Sequence, residues 1–276
     1  MELTRKGFYL MAIKRVRAHH LAQMKAEGTP ITMLTSYDAL TTRIFDEAGT
    51  DMLLVGDSYA NVMLGYDSTT QVGIDDMVLA TGAVARNAKR AFVVADLPFG
   101  SYETSHQDAI ANAVKLIRAG ASAVKLEGGV RMASTIRAIV EAGINVVAHI
   151  GYTPQSENAL GGPRVQGRGD GADHVRKDAV AVAEAGAIAV VLELVPAPIA
   201  TEITEAISIP TIGIGAGENT DGQVLVWSDM AGMTNWQPSF VKVFGEVGTA
   251  LKNAAIAYNE AVRNRSFPDN DHRFNQ

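Results

Sequence analysis

"RAGASAVKLEGG", residues 118–129, is the stretch on which the reading of the fold turns. A glycine closes a helical segment, a run of small and β-branched residues follows, and the run ends on two opposite charges, Lys125 and Glu127. Glycine accepts the left-handed conformation that ends a helix. A continuous apolar run suits a strand covered on both faces, as in a parallel sheet. The same Ala-Gly joint recurs in "EAGTDMLLVGD" (47–57), "EAGINVVAH" (141–149) and "EAGAIAVVLE" (184–193). These are the helix-to-strand corners of a repeating βα unit.

In order, strands are predicted near residues 31–37, 52–56, 92–96, 123–127, 145–149, 189–193, 211–215 and 224–228. Helical patterns such as "SHQDAIANAVKLIRAG" and "RMASTIRAIVEAG" lie between most of them, polar or capping residues first. Eight units without linker-like composition favour a single closed (β/α)8 TIM barrel over a doubly wound sheet. The expected layout is a lead-in over 1–23, the barrel over 24–264 and a polar tail over 265–276, with a last helical stretch over 238–263. "GYTPQSENALGGPRVQGRGDGADH" (151–174) breaks the regularity as a long Gly-rich connection of the kind that often serves as a lid.

Composition removes several function classes. With 24 basic and 30 acidic residues the net charge is −6, which gives no footprint for nucleic acid. The absence of cysteine excludes disulfides, thiolate metal ligands and a thiol nucleophile, and suits a cytoplasmic protein. The apolar piece at 7–13 is followed by Lys14, Arg15 and Arg17 rather than a cleavage site, so it reads as an unprocessed lead-in, with Met11 a second candidate start. No apolar run reaches the roughly 20 residues that span a bilayer, so no membrane is expected.

In a barrel the carboxyl ends of the strands open on one face, and that face carries the chemistry. There the sequence places Tyr37, Asp38, Asp57, Ser58, Asp96, Lys125, Glu127, His149 and Glu193. Acids at the ends of apolar strands are costly when isolated. Two carboxylates 4 Å apart repel by about 4 kcal/mol at an effective dielectric near 20. Asp57, Asp96 and Glu127, from three adjacent strands, therefore call for a cation, and oxygen ligands point to Mg2+ before Zn2+. The plainer alternative is that one of these acids caps a helix or pairs with an arginine. Lys125 and Glu127, two apart and on one side of a strand, are either an internal ion pair or part of a reaction centre; as a site residue, Lys125 would hold the carboxylate of an anionic substrate. Glu193 ends the apolar run "AIAVVLE", where a carboxyl titrates nearer neutrality and suits a general base; the alternative is a helix cap. His149 is an accessory candidate or a structural histidine. "GIGAG" (213–217) either cradles a phosphate or lets the backbone pass close to a neighbour, and lacks the dinucleotide spacing.

The ordered set "TSYDALTTRIFDEAG", "LLVGDS", "GYDST", "VVADLPFGSY", "VKLEGG", "AHIGYTPQS", "GGPRVQGRGD", "LELVP", "PTIGIGAG" and "TDGQVLVWSDMAG" resembles the ketopantoate hydroxymethyltransferase family over residues 24–274. The resemblance implies a (β/α)8 barrel that binds Mg2+. The implied activity is transfer of a one-carbon unit from 5,10-methylenetetrahydrofolate to 3-methyl-2-oxobutanoate, giving 2-dehydropantoate on the route to pantothenate. It places the metal ligands on Asp57, Asp96 and Glu127, the oxo acid contacts on Asp57, Ser58, Asp96 and Lys125, and the proton acceptor on Glu193. It also implies a homo-oligomer, commonly a decamer. Residues 59–61 and Ser228 depart from forms common in that family, and the resemblance puts neither at the metal or the base. A Mg2+-dependent lyase or mutase of the phosphoenolpyruvate mutase and isocitrate lyase group is the runner-up, although the cysteine acid of isocitrate lyases is missing. A non-catalytic ring-forming barrel is the rival from another class.

Overall fold

The structure, a computed structural model, describes residues 15–234 and 236–274. The apolar piece at 7–13 and the alternative start Met11 lie outside the described residues. The chain divides into two compact units, residues 1–225 and 226–276, and the barrel belongs to the first.

Eight parallel strands close on themselves in chain order: β1 (Ile31–Thr35), β2 (Met52–Val55), β3 (Phe92–Asp96), β4 (Ala123–Glu127), β5 (Val146–Gly151), β6 (Ala189–Glu193), β7 (Thr211–Ile214) and β8 (Gly222–Leu225). The predicted TIM barrel is therefore the fold observed. Closure comes from β1 lying beside β8, with Ile31 opposite Gly222. The helices of this unit are α1 (Ala18–Ala26), α2 (Ala39–Glu47), α3 (Tyr59–Val62), α4 (Ile74–Asn87), α5 (His106–Ala119), α6 (Ala133–Glu141), α7 (Glu157–Leu160), α8 (Gly171–Glu184) and α9 (Ala197–Ala206). α5 shows how local sequence sets these bounds. Ser105 accepts from the Asp108 N–H at its start, and Gly120, at φ 115°, ends it against Ala85, where a Cβ would come within 2.6 Å.

β3, β4 and β6 match the predicted ranges, whereas β8 lies two residues earlier than expected at its start and three at its end. The apolar letters after Leu225 attracted the prediction, but the pairing begins at Gly222, where a Cβ would stand 2.4 Å from the Ile31 carbonyl oxygen. Only glycine allows β1 and β8 to approach there.

Alternate residues of each strand point into the barrel. The interior is filled by Ile31, Met33, Met52, Leu54, Phe92, Val94, Ala123, Val147, Ala189, Val191, Ile212 and Val224. Continuing the period of two toward the carboxyl ends gives Asp96 after Val94, Lys125 and Glu127 after Ala123, His149 after Val147, and Glu193 after Val191. The apolar plug and the polar mouth are one inward-facing series.

In the second unit α10 (Trp227–Met230) and α11 (Val247–Arg263) are the α-helices. α11 begins later than the expected 238–263 stretch because the Phe244 and Val247 N–H groups donate to the Met230 and Ala231 carbonyls at 2.8 and 2.9 Å. Both N–H groups are thereby taken by a distant segment rather than by the carbonyls four residues back.

Candidate active site

Strand register decides which polar groups meet. Asp96 lies opposite Lys125, Glu127 opposite His149, and Gly151 opposite Glu193. Lys125 Nζ stands 3.1 Å from Asp96 Oδ1, His149 Nδ1 3.2 Å from Glu127 Oε1, and His149 Nε2 3.1 Å from Glu193 Oε2. The opposite charges of "VKLE" thus do not pair with each other along their strand. Each finds its partner on the neighbouring one.

Asp57 follows β2, and its N–H donates to Asp96 Oδ2 at 3.0 Å. Gly56 makes room for that contact, since a Cβ there would meet Ser58 Oγ at 2.9 Å and Asp96 Oδ2 at 3.6 Å. Ser58 Oγ lies 2.8 Å from the hydroxyl of buried Tyr37, so Tyr37 orients Ser58. Tyr59, one of the departures, sets its ring 5.8 Å from that of Tyr37. Asp38 proves to be a helix cap, its Oδ1 accepting from the Leu40 and Thr41 N–H groups at 2.7 and 3.0 Å. The capping alternative weighed for the acids at strand ends applies to it.

Asp96, Lys125, Glu127 and His149 are each no more than 3% exposed, while the Glu193 side chain keeps 17% of its surface. Leu194, next to Glu193, takes a left-handed φ of 49°. Its N–H donates to the Ile214 carbonyl and its own carbonyl accepts from Gln166 N–H at 2.8 Å, which holds the strained backbone beneath Glu193.

Charge governs the rest. Burial, then repulsion from Asp96 and Glu127, pushes Asp57 up to about 8, so it keeps a proton at neutrality. Burial also raises Asp96, against the pull of Lys125. Burial and Lys125, 3.3 Å away, oppose protonation of His149, but Glu127 and Glu193 outweigh them and bring it up to about 9. Burial opposes ionisation of Glu127 too, yet His149, Lys125 and the Gln155 N–H hold it below its usual value. Lys125 is raised because the carboxylates outweigh its burial. Four carboxyl groups face two cationic side chains, and a proton on Asp57 makes up part of the difference.

Gln155 and Tyr102 were missing from the sequence reading. Gln155, in a 3-10 turn at Pro154–Ser156, donates from its backbone to Glu127 Oε2 at 2.9 Å and from Nε2 to Asp57 Oδ2 at 2.9 Å. Tyr102 donates to Gln155 Oε1 at 2.6 Å. Both are neutral and lie on loops, so no periodicity or charge pattern marks them; buried polar placement after an apolar strand is the signal that could have found them. The "GIGAG" glycines act through close approach: a Cβ on Gly217 would stand 2.4 Å from the Ala197 Cβ. The connection after β5 is shorter than a bare loop of 151–174, since β5 runs to Gly151 and α7 and the start of α8 occupy part of it.

Residues 15–270 match the ketopantoate hydroxymethyltransferase family. The chain belongs to that family. A 3-methyl-2-oxobutanoate hydroxymethyltransferase of Corynebacterium efficiens is 58% identical over 257 residues, covering 92% of this chain and 96% of its own. One from Leifsonia xyli subsp. xyli is 56% identical, covering 95% of each chain. Among solved structures, phosphonopyruvate hydrolase in complex with oxalate and Mg2+ superposes with a TM-score of 0.61 at 12% identity, covering 93% of each chain. A 2,3-dimethylmalate lyase superposes at 0.60 and 17%, covering 94% of this chain and 92% of its own. At such identities these two share the fold with this member of the ketopantoate hydroxymethyltransferase family.

The donor chemistry of the mouth fits a hard cation. Asp57, Asp96 and Glu127 offer oxygen alone and are buried together, and burial with their mutual repulsion keeps a proton on Asp57. Among the described residues no group of three His, Asp or Glu side chains is spaced as a metal cage, so the fit rests on donor type and charge.

Proposed function

We propose that the chain transfers a hydroxymethyl group from 5,10-methylenetetrahydrofolate to 3-methyl-2-oxobutanoate, giving 2-dehydropantoate. In this reading Asp57, Asp96 and Glu127 hold Mg2+ and Glu193 is the base. The observation that carries it is the placement of Lys125, His149 and Glu193 on adjacent strands beside the buried acid cluster, in a chain 58% identical to a named hydroxymethyltransferase.

Mg2+, when bound, would supply Lewis-acid stabilisation of charge developing on the oxo group, worth several kcal/mol. The chain's own groups do the rest. Lys125, buried and cationic, holds the substrate carboxylate. Ser58, steadied by Tyr37 at 2.8 Å, trims its orientation. Glu193 takes the proton from C3 of the oxo acid, the carbon so freed bonds to the methylene carbon of the folate, and water supplies the hydroxyl oxygen as the bond from that carbon to the folate nitrogen breaks and tetrahydrofolate leaves. His149 Nε2 lies 3.1 Å from Glu193 Oε2 and its Nδ1 3.2 Å from Glu127 Oε1, so the imidazole is ion-paired between the base and a proposed metal ligand. The barrel wall, filled below by Val94, Ala123, Val147 and Val191, excludes water from beneath the reacting carbon.

The same reading makes the protein a cytoplasmic homo-oligomer, commonly a decamer, on the strength of the family resemblance. Among the described residues no helix is long and apolar enough to cross a membrane. Incubating the purified protein with oxo acid, Mg2+ and methylene-folate should yield 2-dehydropantoate. Folate-independent cleavage of an oxo acid would favour the lyase and mutase reading instead, and no turnover would favour the scaffold.

A further inference from the structure

Gln155 lies on a loop, yet it is only 6% exposed and reaches three strand ends at once. Its backbone N–H serves Glu127 after β4, and its Nε2 serves Asp57 after β2 and, at 3.1 Å, the carbonyl of Leu97 after β3. Tyr102 fixes which way the amide faces. The Tyr102 hydroxyl accepts from the Glu127 N–H at 3.2 Å and places its own proton on Gln155 Oε1 at 2.6 Å. The Asp57 carboxylate and the Leu97 carbonyl need donors, so the NH2 end must point to them.

We propose that Gln155 is the positioning residue that fixes Asp57 and Glu127 as a ligand pair for the cation, an inference that rests on the Mg2+ reading above. One oxygen of each acid is tied by Gln155: Oδ2 of Asp57 by the side chain and Oε2 of Glu127 by the backbone. The Gln155 amide leaves Oδ1 of Asp57 untouched, and Oε1 of Glu127, buried, accepts no hydrogen bond; these are the oxygens left for a ligand. Two carboxyl groups that repel each other would otherwise turn apart, and a neutral amide restrains them without adding charge. The residue type follows from this. Asn is one methylene short of the span, and Glu would set a further carboxyl against Asp57. Met keeps the volume and removes the side-chain bonds.

The test is calorimetric titration of Mg2+ into chelator-stripped wild type, Gln155→Met and Tyr102→Phe, with melting of each metal-free protein. Gln155→Met should weaken Mg2+ binding by about 10–100-fold, the usual cost of losing a group that orients a ligand. Its melting temperature should stay near that of the wild type, and its kcat should recover as Mg2+ is raised, which a general loss of structure would prevent. Tyr102→Phe should weaken binding in the same direction, and it reads the role even if Gln155→Met fails to fold. Mg2+ affinity within twofold of wild type in Gln155→Met, or in Tyr102→Phe where the former does not fold, overturns this inference alone. A wild type that takes up no Mg2+ overturns the metal reading together with it.

Discussion

Lys125 and His149 show how much a single buried charge depends on its neighbours. Lys125 was legible from the sequence because a lysine inside "SAVKLE" has no surface to reach, and the structure places it 3.1 Å from Asp96. Lys125→Gln leaves Asp96 without its ammonium and, in the proposed reading, the substrate carboxylate without its counter-ion. The KM for the oxo acid should rise by at least about 30-fold, the equivalent of about 2 kcal/mol, as measured by initial rates at saturating Mg2+. The double role of His149 was not legible, since both of its contacts come from register between strands that one strand's letters do not reveal. Its titration, with that of Asp57, gives the metal-free protein a definite pH response. His149 goes from 6.5 to about 9 on folding, so its stabilisation is complete below pH 6.5 and lost as pH climbs through 9. Asp57 goes from 3.8 to about 8, so the folded form keeps a proton that the unfolded chain has released, and stability drains away as pH rises across that window. Both act in one direction between pH 6.5 and 8. The melting temperature of chelator-treated protein should fall over that range and fall less with Mg2+ present; a rise with pH would contradict the assignment.

At the scale of elements, Ala-Gly joints and apolar runs sufficed for the strands that carry the site, because β4 and β6 each follow a glycine corner and β3, β4 and β6 each end on an acid. They failed where an apolar letter continues past the last ladder bond, as at Val226 and Trp227 after β8. Gln155 escaped for a related reason: its turn after β5 is packed into the mouth, and packing leaves no period in a loop. Asp38 is the opposite case, an acid whose place beside Tyr37 looked like chemistry and whose bonds are those of an N-cap. Asp38→Ala should cost about 1 kcal/mol of stability by denaturant titration and leave the oxo acid KM unchanged. A large loss of activity in the folded variant would return Asp38 to the site.

Across the whole barrel the two ends divide the work. At the amino ends of the strands Arg90 Nη2 lies 2.7 Å from Asp51 Oδ1, and Asp51 Oδ2 accepts from the Thr32 N–H and hydroxyl at 3.0 and 2.8 Å. Removing one member of such a buried pair leaves the other desolvated, so Asp51→Ala should lower stability by about 3–5 kcal/mol while Mg2+ affinity stays as in the wild type. At the carboxyl ends the mouth assembled by β2 to β6 should ionise the C3–H bond of the oxo acid before any folate arrives. Exchange of that hydrogen into deuterated solvent, followed by proton NMR with Mg2+ and without folate, tests this directly. Wild type should exchange it, and Glu193→Gln should lose the exchange while still binding Mg2+ and the oxo acid. Exchange at the wild-type rate in Glu193→Gln would contradict the role given to Glu193 and with it the chemistry assigned to the mouth.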